Sequence, residues 1–243
     1  MKNFKLTIQY DGTFFHGWQF QPNQITVQGN IERVLQPIFS NQKINLVGSG
    51  RTDSGVHAMG QVANILIDTD YSPNDIKNIL NARLDRKIWI SDCIEVDLAF
   101  HARFSASSRY YEYHMTKIFN PFNYKRSTLI KYNINEKKLF ECSDMILGEK
   151  DFSSFCKANA EVHNKICVVY KSAWVIAKSN YIYQIEANRF LQHMVRLIVG
   201  SMIEVARDRY SIEQFQSMLT NQATVPAIKA PPDGLFLQRV AYD

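Results

Sequence analysis

The chemistry in this 243-residue chain is concentrated in residues 48–58, Gly-Ser-Gly-Arg-Thr-Asp-Ser-Gly-Val-His-Ala. Asp53 lies between two glycine-bearing turns, with Arg51 two residues before it and His57 four residues after. Glycines on both sides permit backbone conformations closed to other residues and let another molecule come close. If residues 51–53 are extended, the two-residue period puts the guanidinium and the carboxylate on one face. A neighbouring cation keeps such a carboxylate ionised and orients it. An ionised, oriented carboxylate can serve as a nucleophile or as a base. The same Asp-Ser-Gly is also what an ordinary surface turn looks like, with the aspartate capping its own backbone. Spacing alone favours the turn.

Other chemistries fit this stretch poorly. Gly48 and Gly50 begin a glycine-rich phosphate loop, but the third glycine position is Asp53 and no Gly-Lys-Ser/Thr follows. Ser49 is flanked directly by glycines, which is not the spacing of a nucleophilic serine elbow. Asp53 and His57 could supply two metal ligands, but no third lies near them in the sequence, so the metal signal is weak.

The stretch from Gly50 to Ala58 does resemble the signature of the tRNA pseudouridine synthase A family. Further similarity runs in the same order along nearly the whole chain. Tyr10-Asp11-Gly12-Thr13 with Gly17-Trp18-Gln19 resembles the family's N-terminal motif, and Arg109-Tyr110-Tyr111-Glu112-Tyr113 its Arg-x-Tyr-x-Tyr strand. Asn188-Arg189-Phe190-Leu191, His193-Met194-Val195-Arg196 and Val199-Gly200 resemble its C-terminal helix, and Ala230-Pro231-Pro232 with Gly234-Leu235 its closing segment. The resemblance implies an α+β pseudouridine synthase fold: two α/β halves, mainly antiparallel, whose sheets meet at a central RNA-binding cleft. It divides the chain near Phe104, into a half at 1–104 carrying the catalytic aspartate and a half at 105–243 carrying the base-stacking tyrosine and the arginine helix.

What the resemblance implies about activity is specific. The chain would isomerise uridine to pseudouridine at positions 38, 39 and 40 of the tRNA anticodon stem-loop, without cofactor or metal, as a cytoplasmic homodimer. Asp53 takes the catalytic position, as nucleophile or base, and Arg196 becomes its charge partner. An arginine on an otherwise apolar helix must in any case either snorkel to solvent or pair with a carboxylate. Tyr111 takes the base-stacking position, whereas Tyr110 and Tyr113 read as structural tyrosines of the strand. Arg51 would contact phosphate or the flipped nucleotide. His57, Trp18, Arg109 and Arg189 are possible RNA contacts. His57 in such a turn is more often a structural hydrogen-bonder, and Trp18 with Phe14 and Phe15 suits a plugged core about as well as an RNA-facing lid. Arg103, Lys117, Lys125, Arg126, Arg207 and Arg209 could extend a basic track. Two other readings use the same residues: a non-catalytic RNA-binding protein with Asp53 as a turn former, and a nucleoside hydrolase that releases free base.

The rest of the chain must position these residues. Composition is that of an ordinary soluble protein, 46% hydrophobic and 21% charged. Net charge is +5, from 28 basic and 23 acidic residues, a mild bias towards anionic partners. The four cysteines show neither Cys-x-x-Cys pairing nor metal spacing and read as reduced, mostly buried thiols. Alternation at residues 4–10 marks a strand rather than a signal peptide, and no apolar run approaches the ~20 residues of a membrane span. Helices are expected after the caps Thr26, Ser72 and Ser211, over 135–147 with Gly148 as its stop, and over 189–207. Strands are expected at 44–47, 61–68, 88–97, 109–117, 167–178, 181–187 and 235–242.

Overall fold

The computed structural model describes residues 1–157 and 164–243. The chain forms two compact units, one of residues 1–107 with 236–243 and one of residues 108–235. The first unit opens with β1 (Lys2–Tyr10), followed by α1 (Val27–Leu35), β2 (Val47–Gly48), β3 (His57–Ile67), α2 (Pro73–Arg83) and β4 (Ile88–Val96). β1 is the middle strand, antiparallel to both β3 and β4. Its Phe4, Leu6 and Ile8 point to one face and are fully buried, as strict alternation requires of a half-covered strand. On the opposite face Asn3 is buried as well, and this is resolved by hydrogen bonds. Its amide donates to the carbonyls of Asp97 and Phe100, and Asn64 on β3 donates to its Oδ1 at 3.0 Å. Asn64 Oδ1 in turn accepts from the Ala102 amide at 2.9 Å. These paired amides lash the segment after β4 across the sheet, which leaves no buried polar group unmet there.

Both helices of this unit begin as their caps dictate. Thr26 accepts from the Gly29 amide, and Ser72 forms a reciprocal capping box with Asp75 behind Pro73. The two bonds from Ser72 hold the Asp75 carboxyl below its usual range. α2 lies against β4, where Asn81 grips both the N–H and the C=O of Ile90, at 2.8 and 2.9 Å.

The second unit runs through β5 (Ala106–Thr116), β6 (Thr128–Leu129), α3 (Glu136–Met145), β7 (Gly148–Asp151), β8 (Ile166–Ala177), β9 (Asn180–Ala187), α4 (Met194–Ala206) and α5 (Ile212–Leu219). Its strands lie in the order β5-β9-β8-β7, each pair antiparallel, with β6 parallel to β5. α4 is buried along its whole length, as a largely apolar helix must be, with Arg196 and Glu204 its buried charged exceptions. Tyr113, Tyr181, Tyr183, Phe152, Phe155 and Phe215 complete the core. The phenols find partners: Tyr183 hydrogen-bonds the Ser172 hydroxyl at 2.7 Å, and Tyr181 donates to Glu136 at 2.7 Å. The last strand, β10 (Leu235–Tyr242), returns to the first unit rather than staying with the second half of the chain. There it runs parallel to β3, Phe236 opposite His57.

The α+β class and mainly antiparallel pairing match the sequence expectation, and the element boundaries differ in two informative places. β3 begins at His57, four residues before the expected strand, because the ladder with β1 extends to Ala58. The helix expected from residue 189 begins only at Met194, behind His193 in a left-handed conformation at φ 68°. Residues 188–192 are held elsewhere. Asn188 Oδ1 accepts from the Val168 amide at 3.0 Å, and its carbonyl accepts from Arg109 Nη1 at 2.7 Å. Arg189 donates to the Asn164 carbonyl at 2.8 Å. The apolar Phe190 and Leu191 therefore mimic a helical stripe without belonging to one.

Candidate active site

In the first unit, a four-residue turn carries Asp53. The Val56 amide donates to the Asp53 carbonyl at 3.2 Å, and Gly55 takes φ +80°, a conformation that glycine adopts without strain. Thr52 points inward and is buried, while Arg51 is exposed and Asp53 half-buried, the pattern of an extended approach. The Thr52 hydroxyl hydrogen-bonds Tyr10 at 2.8 Å. One step earlier, Ser49 donates to Gln61 Oε1 at 2.7 Å, and Gln61 donates from Nε2 to the Gly50 carbonyl at 3.1 Å. A fully buried glutamine thus holds the backbone leading to Arg51.

The loop after β1 clasps this turn from the other side. Trp18 N donates to the Thr52 carbonyl at 3.1 Å, and Ser54 Oγ donates to the Phe15 carbonyl at 3.3 Å. Two glycines make the approach possible. A Cβ on Gly12 would lie 2.0 Å from the Val56 oxygen, and one on Gly17 would lie 2.6 Å from the Thr52 oxygen. Gly12→Ala is therefore expected to push the turn aside. Overpacking of this kind costs about 1–3 kcal/mol, and a displaced carboxylate loses tenfold or more in rate. A denaturant melt and a rate assay on the one variant read both effects.

Trp18 and His57 are not presented as RNA-facing groups. Trp18 is 2% exposed, with its indole against Gly48 and 6.2 Å from the Tyr10 ring. Exchanging Gly48 for any larger residue would strike that ring, so Trp18 serves as the floor beneath the turn. His57, also 2% exposed, stacks on Phe236 at 4.6 Å and accepts the Gly12 amide hydrogen on Nδ1 at 3.1 Å. Asp11 Oδ1 lies 3.3 Å from the same nitrogen and itself accepts from Thr13 N. Both side chains were expected as possible RNA contacts. Both are buried, Trp18 against Gly48 and His57 against Phe236.

In the second unit, β5 alternates so that Tyr111, Tyr113 and Met115 share the buried face. Tyr113 is a core residue, its hydroxyl bonded to Thr128 at 2.7 Å and donating to the Pro231 carbonyl at 2.9 Å. Burial pushes that phenol well above its usual range. Tyr110 faces the other way and donates to Glu112 at 2.8 Å, with Lys171 Nζ 5.3 Å from its ring. Tyr111 differs from both. It retains 9% exposure, and Phe190 meets its ring edge-on at 5.1 Å and 86°. The segment that failed to become helix is what supplies this ring.

Arg196 sits on the first turn of α4 and is buried. Its Nε donates to the Ala230 carbonyl at 2.9 Å, and the Ala230 amide donates back to the Arg196 carbonyl at 3.0 Å. Gly200, one turn on, lets the same segment lie against the helix, for a Cβ there would be 2.0 Å from the Ile228 oxygen. Ser201 Oγ accepts from the Ile228 amide at 3.2 Å. Residues 228–230 thus orient the guanidinium from its Nε side. Arg109 and Arg189 donate to the backbone carbonyls of Asn188 and Asn164, so both help shape the loop that carries Phe190. Arg207 pairs with Glu204 at 2.9 Å and stacks 3.7 Å over Tyr132. The supporting roles of Gly12, Gly17, Gln61 and Phe190 escaped the sequence reading. Gln61 alone left a signal, as a polar residue inside an apolar run.

Among the described residues no group of three or more His, Cys, Asp or Glu could hold a metal ion. No helix among them is long and apolar enough to cross a membrane. The chain's similarities extend over nearly all of it. A family profile described as tRNA pseudouridine synthase matches residues 6–105 and 143–243. The tRNA pseudouridine synthase A of Finegoldia magna is 38% identical over 249 residues, covering all of both chains. That of Geobacillus sp. is 37% identical over 245 residues, covering all of this chain and 99% of its own. That of Pelodictyon phaeoclathratiforme is 38% identical over 244 residues, again covering both chains in full.

Proposed function

The chain belongs to the tRNA pseudouridine synthase family, and from that premise we propose that it isomerises uridines 38, 39 and 40 of the tRNA anticodon stem-loop. The reaction class follows from membership: it is an isomerase that turns tRNA uridine into pseudouridine. The anticodon address is our own reading. The observation that carries the site is the Asp53 turn, bonded to the Trp18 amide and the Phe15 carbonyl, with Gly12 and Gly17 permitting the close approach, inside the matched region. A carboxylate needs that much support only if its position matters, since a plain surface turn can flex without cost.

In this reaction the C1′–N1 bond breaks, the uracil turns, and C1′ bonds to C5. The C5 hydrogen leaves as a proton and N1 gains one, so nothing is added or removed overall. Asp53 stands beside C1′, where it either attacks the sugar to hold it as an ester or takes a proton from it. A paired base must first leave its stack, at a cost of a few kcal/mol. Tyr111 receives the extruded base on its ring, backed by Phe190, and stacking of this type is worth about 1–3 kcal/mol. Water must be kept from C1′ while the base turns. In this reading Arg196 is the charge partner of Asp53, and Arg51 meets phosphate or the flipped nucleotide.

Arg196→Ala should lower both activity and stability. The Ala230 carbonyl alone would lose a charged donor, which costs about 1–3 kcal/mol. In the proposed pairing, loss of the cation beside Asp53 lowers the rate as well. A variant with wild-type rate and an unshifted urea midpoint would remove Arg196 from the account. We further propose a cytoplasmic homodimer. Light scattering at micromolar concentration should return twice the chain mass, and the mass of one chain would contradict it. The activity itself is tested by incubating the protein with unmodified tRNA and mapping pseudouridine by carbodiimide-blocked primer extension. New stops at positions 38–40 are expected, and their absence would refute the assignment.

A further inference from the structure

At the far end of β5 from Ala106, residues 117–127 read Lys-Ile-Phe-Asn-Pro-Phe-Asn-Tyr-Lys-Arg-Ser, with three cations and no acidic residue. Phe119, Phe122 and Tyr124 are 62%, 85% and 62% exposed. Aromatic rings left in water at this density are costly unless a partner covers them. Their arrangement is ordered rather than loose. Asn120 caps the Phe122 amide at 2.9 Å, Tyr124 N donates to the Pro121 carbonyl, and Arg126 N donates to the Asn123 carbonyl at 2.9 Å. A recess of about 140 Å³ opens in this loop, and its lining includes Phe119, Asn123, Tyr124, Lys125 and, from the turn before β10, Asp233. It offers a flat apolar wall, polar side chains at its edge and cations beside it.

Those are the three features that hold an unpaired nucleotide: a ring to stack on, groups for the base edge, and charge for the phosphate. A protein partner would be met better by apolar surface without a run of like charge. We infer that this recess is a second nucleotide-binding site, which takes one unpaired base of the tRNA on Tyr124 and Phe119 while Lys125 and Arg126 meet the backbone. Thr116 lies five residues along β5 from Tyr111, so the recess begins roughly 17 Å away at ~3.3 Å per residue. The two tyrosines therefore engage different nucleotides. Asp233, which accepts from Thr128 at 3.1 Å, adds an acceptor suited to a base amino group. This inference rests on the proposed activity on tRNA.

The test uses the full chain and full-length unmodified tRNA. For Phe119→Ala/Tyr124→Ala, Kd and KM should rise about 5- to 100-fold with kcat nearly unchanged, because stacking sets affinity away from the reacting bond. Tyr124→Phe keeps the ring and should bind like wild type. Lys125→Ala/Arg126→Ala should lower the slope of log Kd against log salt by about 1–2. All four residues are exposed rather than part of the core, and a matching circular dichroism melt confirms that folding is intact. Unchanged Kd in the aromatic double variant would overturn the inference. So would a fall in oligomer mass for that variant at unchanged tRNA affinity, which would make the loop a protein interface. Wild-type protein assayed alongside separates the two claims: if it makes no pseudouridine, the activity fails, and if it does while the variants bind normally, only the second site fails.

Discussion

Asp53→Asn is expected to lower the rate of pseudouridine formation by a factor on the order of 10³ or more. The substitution keeps the shape of the side chain and removes its charge, so neither attack on C1′ nor proton removal survives. Folding should survive. The turn closes through the Asp53 carbonyl, and the Trp18 amide holds it at the Thr52 carbonyl, groups that asparagine does not alter. The melting temperature should stay within a few degrees of wild type and tRNA should bind nearly as well. A variant that retains wild-type activity would exclude Asp53 from the chemistry. A variant that fails to fold would leave the carboxylate with a structural role that the geometry of the turn does not assign.

Tyr111 should give the second large effect, with a contrast that identifies its cause. Tyr111→Ala removes the ring from beneath the base and leaves a void against Phe190, so both stacking and packing are lost. The stacking part alone is about 1–3 kcal/mol, and opening a cavity of aromatic size costs about 3–5 kcal/mol of stability. Activity should fall by roughly two orders of magnitude or more, at temperatures where the variant remains folded. Tyr111→Phe keeps the face and should retain most of the activity. Tyr110→Ala removes a part-buried contact with Glu112 and a ring beside Lys171, away from the buried face of β5, and should be mild. If Tyr110→Ala proves worse than Tyr111→Ala, the base stacks on the other face of β5.

How far the sequence could be read depended on whether a feature is local. Caps are local, and Thr26, Ser72 and Ser211 start helices where their side chains predict. Alternation is local, so β1, β4 and the inward face of β5 follow from the pattern of Phe4, Leu6 and Ile8 or of Tyr111, Tyr113 and Met115. Alternation cannot say which tyrosine is special, because Tyr113 obeys the same rule. The likeness to a family singled out Tyr111. Residues 188–192 show the opposite limit. Phe190 and Leu191 have helical spacing, but Asn188 bonds to β8 and Arg189 to the segment before it, both distant in sequence, and no local rule contains that. Trp18 is a third case. An aromatic beside glycines suits a lid or a floor, and only the burial of its ring against Gly48 decides for the floor.

The glycines of the site carry a related lesson. Gly12, Gly17 and Gly200 each stand where another backbone passes within the space of a methyl group. The sequence marks them as glycines and is silent on what approaches them. Their partners, Val56, Thr52 and Ile228, become visible only once the chain has folded.

The central claim is that the freed uracil is rebonded rather than released, and the fate of C5 tests it most directly. tRNA carrying tritium at C5 of its uridines should lose label to water in step with the appearance of carbodiimide-reactive base. The mass of unlabelled tRNA should stay unchanged, because isomerisation adds and removes nothing. Asp53→Asn should release no label. Free uracil in the supernatant together with abasic sites in the RNA would contradict the account and make the protein a hydrolase.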